Sequence, residues 1–101
     1  MPFVKVANVS DLPEQSLIEV SVGENLYALC NVAGTIHALS GVCLHQEGPL
    51  GQGNLLDGRV ICPWHAWEFD CRTGDCIEDP TRRLAKYEVK VDGGDILLQV
   101  P

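Results

Sequence analysis

Residues 17–39 read Leu-Ile-Glu-Val-Ser-Val-Gly-Glu-Asn-Leu-Tyr-Ala-Leu-Cys-Asn-Val-Ala-Gly-Thr-Ile-His-Ala-Leu. They hold three short β-rich runs, Leu17–Val22, Leu26–Val32 and Thr35–Leu39, cut apart by Gly23-Glu24-Asn25 and Ala33-Gly34. Ile18, Val20 and Val22 alternate with polar or smaller neighbours, the period of two expected of a half-buried strand. The interruptions carry the residues of hairpin turns. The same pattern extends outward, to Phe3–Ala7 on one side and to Arg59–Cys62, Ala85–Val91 and Ile96–Val100 on the other, with Asp57-Gly58, Thr73-Gly74 and Asp92-Gly93-Gly94 as further turns. Nothing reads as a long helix, and Ser10–Glu14 would cap one helical turn at most. Strands spaced about eight to twelve residues apart with such punctuation predict an all-β protein, an antiparallel β sandwich or small barrel.

Length and charge narrow the function. A chain of 101 residues makes one domain, 1–101, and area scaling gives it a folded surface of about 5,600 Å². Seven Lys and Arg against fourteen Asp and Glu leave a net charge of −7. Phosphate backbones and anionic lipid surfaces select the opposite sign, so we expect no nucleic-acid partner and no membrane partner. Met1–Val9 lacks the pattern of a signal peptide and no long apolar stretch follows, which predicts a cytoplasmic protein. Nothing in the sequence asks for more than a monomer. In a reducing compartment five cysteines serve as metal ligands or buried apolar groups more often than as disulfides.

Composition shifts once, over residues 41–76, which hold four of the five cysteines, two of the three histidines and both tryptophans. This stretch reads as a small subdomain inserted into a β base made of residues 1–40 and 77–101. Within it stand Cys43-Leu44-His45 and, after sixteen intervening residues, Cys62-Pro63-Trp64-His65. Each group pairs a thiolate with an imidazole, and two such loops facing each other would converge four N/S ligands. Soft thiolate with imidazole selects zinc or an iron–sulfur centre over magnesium or calcium. A structural zinc module is one reading. Zinc fingers, however, keep their cysteines as one pair and their histidines as another. Mixed pairs suit a two-iron cluster in which one iron takes both cysteines and the other both histidines.

With these residues the chain resembles a Rieske ferredoxin over essentially its whole length: strands, a Cys-X-His loop, a spacer, then Cys-Pro-Trp-His-Ala-Trp-Glu-Phe-Asp from Cys62 to Asp70 and a closing hairpin. The resemblance implies three antiparallel sheets with the metal-binding subdomain at one end. It also implies a Rieske-type [2Fe–2S] cluster, with Cys43 and Cys62 on the inner iron and His45 and His65 on the outer one. The family often has glycine where this chain has Ala66. Respiratory members carry a disulfide between the loops and two hydroxyl donors to the cluster sulfurs. The matching positions here are Gly48 and Trp64 for the bridge, and Trp67 and Phe69 for the hydroxyls. Hydrogen bonds to sulfur favour the reduced cluster, so their loss implies a low potential. The nearest subfamily in these features is the ferredoxin component of bacterial ring-hydroxylating dioxygenase systems. Such a protein is an electron carrier and not itself an enzyme. Its partners would be a flavin-containing NAD(P)H-dependent ferredoxin reductase and a terminal ring-hydroxylating oxygenase, docking around Gln46, Glu47, Pro49, Leu50 and Trp64.

Rival functions and the remaining residues complete the reading. A catalytic oxygenase needs two further histidines for its mononuclear iron, and only His37 is left. The Rieske-like small subunit of an assimilatory nitrite reductase stays as an alternative, although its ligands are frequently absent and all four are present here. Cys30 reads as a buried hydrophobe, His37 as a surface strand residue, and Cys71 and Cys76 as free thiols. Trp64 and Trp67 read as core aromatics or as shields for the cluster. Gly51-Gln52-Gly53 reads as a loop and no nucleotide site, and Asp79, Arg82 and Arg83 as a solvated turn.

Overall fold

A computed structural model describes residues 3–42, 48–64, 66–79 and 81–100. Among these described residues ten strands follow in chain order: β1 (Phe3–Asn8), β2 (Ser16–Val22), β3 (Asn25–Val32), β4 (Thr35–Ser40), β5 (Asn54–Leu56), β6 (Arg59–Ile61), β7 (Glu68–Asp70), β8 (Lys86–Tyr87), β9 (Val89–Asp92) and β10 (Asp95–Gln99). Single 3₁₀ turns at Val9–Asp11 and Leu50–Gln52 are the only helical pieces among the described residues. None of its helices is long and apolar enough to cross a membrane. The strands form three antiparallel sheets, ordered β1-β10-β9, β2-β3-β4-β8 and β5-β6-β7. The all-β expectation is met. The folded surface, 5562 Å², agrees with area scaling.

Hairpin registers follow from the turn residues. Val32 pairs with Thr35, Leu56 with Arg59 and Asp92 with Asp95, so each loop is two residues long. At Asp57-Gly58 both residues have positive φ, 51° and 76°, as a type I′ turn demands; asparagine, aspartate and glycine tolerate that backbone and match the twist of the flanking strands.

β3 explains why Leu26–Val32 is apolar almost throughout. Tyr27 and Leu29 face a core shared with Leu12, Ala38, Ile96 and Leu98, whereas Ala28, Cys30 and Val32 face a second core with Leu39, Leu50, Val60, Phe69 and Leu84. The second sheet is thus the middle layer, covered on both faces, and a strand buried on both faces loses its alternation. β4 and β8 are neighbours in that sheet, so residues 41–85 leave it, build the small third sheet and return. The run Ala85–Val91 is not one strand. It breaks at Glu88, whose carbonyl accepts from the Gln99 N–H at 2.9 Å, and there the chain crosses from the second sheet to the first.

Candidate metal centre

The second candidate loop is the reversal between β6 and β7. Ile61 pairs with Glu68, and beyond that pair the Cys62 N–H donates to the Trp67 carbonyl at 2.8 Å. Pro63 stiffens the turn by fixing its own φ. Ala66 closes it at φ +57°, which explains why a glycine is at home there. The left-handed conformation costs a residue with a Cβ about 1–2 kcal/mol, while glycine gives back about 0.5–1 kcal/mol in backbone entropy. Ala66 is exposed and gives up little packing. Ala66→Gly should therefore stabilise the fold by about 0.5–1 kcal/mol and raise Tm by a few degrees in a calorimetric scan; a lower Tm would show that the turn relaxes in alanine's favour.

The turn sorts its side chains sharply. Cys62 is 2% exposed and lies in the core with Leu50, Val60 and Phe69; Trp67 packs on the edge of that core, whereas Trp64 is 49% exposed.

The first candidate loop is pinned at its stem. The Gly41 N–H donates to the Leu26 carbonyl at 2.9 Å, and the Leu50 N–H to the Gly41 carbonyl at 3.0 Å. Val42 and Pro49 form an antiparallel bridge. The chain therefore leaves and returns at one place. Gly48, on the return, is buried, and a Cβ there would lie 2.9 Å from the Cys62 Sγ and 3.1 Å from Cγ and Cδ2 of Trp64. The fold thus sets the first loop directly against the second. Of the four sequence-selected ligands, Cys62 is described and faces this junction; Cys43, His45 and His65 lie outside the described residues, as do Gln46 and Glu47. Among the described residues no group of three or more His, Cys, Asp or Glu is placed to hold a metal ion.

Two expectations are corrected here. Leu50 is not a docking residue: it is 0% exposed, a member of the core. His37 is half-buried, with an Nε2 that is buried and lacks a partner among the described residues, because its side of β4 faces the covered layer. Burial first, and then the charges of Lys86 and Arg72, hold its pKa below the usual imidazole range. The glycines of Gly51-Gln52-Gly53 have a purpose that sequence reading missed. A Cβ on Gly51 would come 2.6 Å from the Glu19 Cβ, and one on Gly53 would overlap the Ile61 carbonyl oxygen. Both let the 3₁₀ turn after the first loop press onto β2 and β6. The Gln52 amide donates to Glu19 Oε1 at 3.1 Å, tying that turn to the middle sheet.

Thiolate and imidazole donors of this set, with Cys62 withdrawn from water and a glycine cradle where the loops meet, fit a [2Fe–2S] group. Two Fe³⁺, two S²⁻ and two thiolates sum to zero charge, so burial of the oxidised centre carries little desolvation cost. The other described cysteines are set apart by their surroundings. Cys30 and Cys71 are buried against each other's thiol; that contact first, and burial second, push the Cys30 thiol far above its usual range. Such a thiol is an inert core group. Cys76 is also buried, its Sγ 3.8 Å from Glu78 Oε1, and neither Cys71 nor Cys76 is in a disulfide. Beyond β7, Arg82 pairs with Asp79 and Arg83 with Asp75 at 3.4 and 2.7 Å on the surface, and the Arg83 hydrogen bond holds the Asp75 carboxyl below its ordinary range.

A family model described as Rieske [2Fe-2S] domain matches residues 2–88. The ferredoxin component of the alkene monooxygenase system of Xanthobacter autotrophicus is 35% identical over 97 residues, covering 95% of this chain and 80% of the relative. The biphenyl dioxygenase ferredoxin subunit of a Pseudomonas species is 33% identical over 100 residues, 97% of this chain and 92% of the relative. A chain from a solved complex of reduced oxygenase and oxidized ferredoxin in carbazole 1,9a-dioxygenase superposes with a TM-score of 0.86 at 28% identity, over 95% of this chain and 91% of that one.

Proposed function

The chain belongs to the Rieske [2Fe–2S] domain family, and from that premise we propose that it carries single electrons from a flavin-containing NAD(P)H-dependent reductase to a terminal ring-hydroxylating oxygenase. Cys43, His45, Cys62 and His65 hold the cluster in this reading. The observation that carries it is the packing of Gly48 against Cys62, which joins the two loops that bear the mixed ligand pairs. When bound, the cluster supplies a one-electron store. The chain's own residues exclude water from the Cys62 sulfur, fix the loop stems through Gly41 and the Val42–Pro49 bridge, and seat the module on the middle sheet. The protein works as a monomer in the cytoplasm. The two relatives, both ferredoxin components at more than 30% identity, favour an oxygenase partner over the nitrite reductase alternative. Reduction of the purified protein by a flavin reductase and NADH, followed by reoxidation on adding a ring-hydroxylating oxygenase, tests the proposal; a protein that accepts no electron, or a colourless zinc protein, would refute it.

Trp67 and Phe69 stand where hydroxyl donors would raise the potential, so the midpoint should fall near the low end of the Rieske range, about −150 mV. Phe69 is fully buried, and Phe69→Tyr should raise the potential where the new hydroxyl reaches a ligand sulfur. Voltammetry giving the wild type a value above about +100 mV would show that these donors do not set it.

Docking at the loop end now rests on Trp64 and the partly exposed Pro49, with Glu47 from the first loop. The net charge of −7 should steer encounter with a basic surface on the partner, so that the second-order transfer rate falls as salt rises. Stopped-flow transfer over a salt series, with Glu47→Lys beside the wild type, checks this. A rate indifferent to both would place docking on another face.

A further inference from the structure

We propose that Trp64 is a latch across the two candidate ligand loops: its indole covers Gly48 and the flank of the Cys62 sulfur, and so controls how readily water and chelators reach that ligand. The inference rests on the cluster assignment above. Three observations support it. Gly48 is buried, and the atoms that a Cβ there would strike are the Cys62 Sγ at 2.9 Å and Trp64 Cγ and Cδ2 at 3.1 Å. The indole and the sulfur thus crowd the same point on the opposite loop, and the lack of a side chain at 48 lets them do so. Next, Trp64 is 49% exposed: one part of the ring meets solvent while another lies on the loop junction. Last, Trp64 belongs to neither hydrophobic core, in contrast to Trp67, which packs against one of them.

Trp64 acts on the site as a positioning residue. An apolar cover over a ligand sulfur lowers solvent access, and the shell around a metal site governs its lability. An aromatic ring of smaller size keeps the cover; a methyl group does not. On that basis Trp64→Phe should behave nearly as wild type, and Trp64→Ala should open the junction.

The test uses the full-length holoprotein. Iron release to excess ferrozine with ascorbate is followed by the growth of the coloured ferrous–ferrozine complex, and the fold is followed by the far-UV circular dichroism melting midpoint of the same samples. Trp64→Ala should release iron at least about tenfold faster with the midpoint little changed, Trp64→Phe should stay close to wild type, and Gly48→Ala, which puts a methyl into the contact, should also accelerate release. Unchanged release in Trp64→Ala would overturn the latch. Acceleration matched by a large fall in the midpoint would also overturn it, since the ring would then serve the fold as a whole. So would unchanged release with slowed transfer to an oxygenase, which would make Trp64 a docking residue only. A wild type that holds no iron or sulfide would refute the cluster assignment and this inference with it, whereas a loaded wild type with an indifferent Trp64→Ala would refute this inference alone.

Discussion

Cys62→Ser, and equally Cys43→Ser combined with His45→Ala, should lower bound iron and labile sulfide at least about tenfold from two of each per chain. The size of the effect follows from ligand chemistry. Losing an outer-shell partner alone costs about 10–100-fold in metal affinity, and these changes remove the proposed direct ligands. Serine at 62 would in addition put a hydroxyl into a core where the native side chain is 2% exposed. Cys76→Ser is the matching control: it is buried too, but Glu78 Oε1 stands within reach of its side chain, and it should keep full iron and sulfide. Circular dichroism of each variant separates loss of ligand from loss of fold. Full retention in the ligand variants would end the assignment, and about one zinc with no sulfide in the wild type would return the site to a structural zinc module.

What the sequence made legible was whatever is local. Leu17–Val22 and Thr35–Leu39 declared themselves by period and by turn chemistry, and each lies within one residue of β2 and β4. The proposed ligand pairs stand out because each couples a cysteine to a histidine over one or two intervening residues. Contacts between distant residues were not visible. Asn54–Leu56 and Glu68–Asp70 are three-residue strands, too short to show a period, and only their pairing with β6 makes them strands. Leu50 follows a loop of polar residues and looks exposed, yet the 3₁₀ turn folds it into the core. Glu88 belongs to an unbroken alternation, and the change of sheet there depends on Gln99 across the molecule. The glycine at 53 is required by the Ile61 carbonyl eight residues on, a demand that no Gly-X-Gly pattern expresses.

Phe69→Ala should destabilise the entire domain, by about 3–5 kcal/mol, and lower Tm by about 15–30 °C for a chain of this size. Phe69 is the largest of the fully buried side chains and pairs with Val60 in the centre of the third sheet. Its core is not private to that sheet. Ala28, Cys30 and Val32 of β3 and Leu39 of β4 belong to it, together with Leu84 on the way back to β8. A cavity at 69 therefore removes contacts from the middle sheet as well as from the loops' support. Because one apolar cluster joins them, the metal-binding part and the scaffold should melt in a single cooperative transition. The variant should unfold in one step as well, with calorimetric and van't Hoff enthalpies in agreement. Two separate transitions, with only the lower one shifted by Phe69→Ala, would show instead that the third sheet folds on a core of its own, and the seating of the ligand loops on β3 would then have no part in holding them.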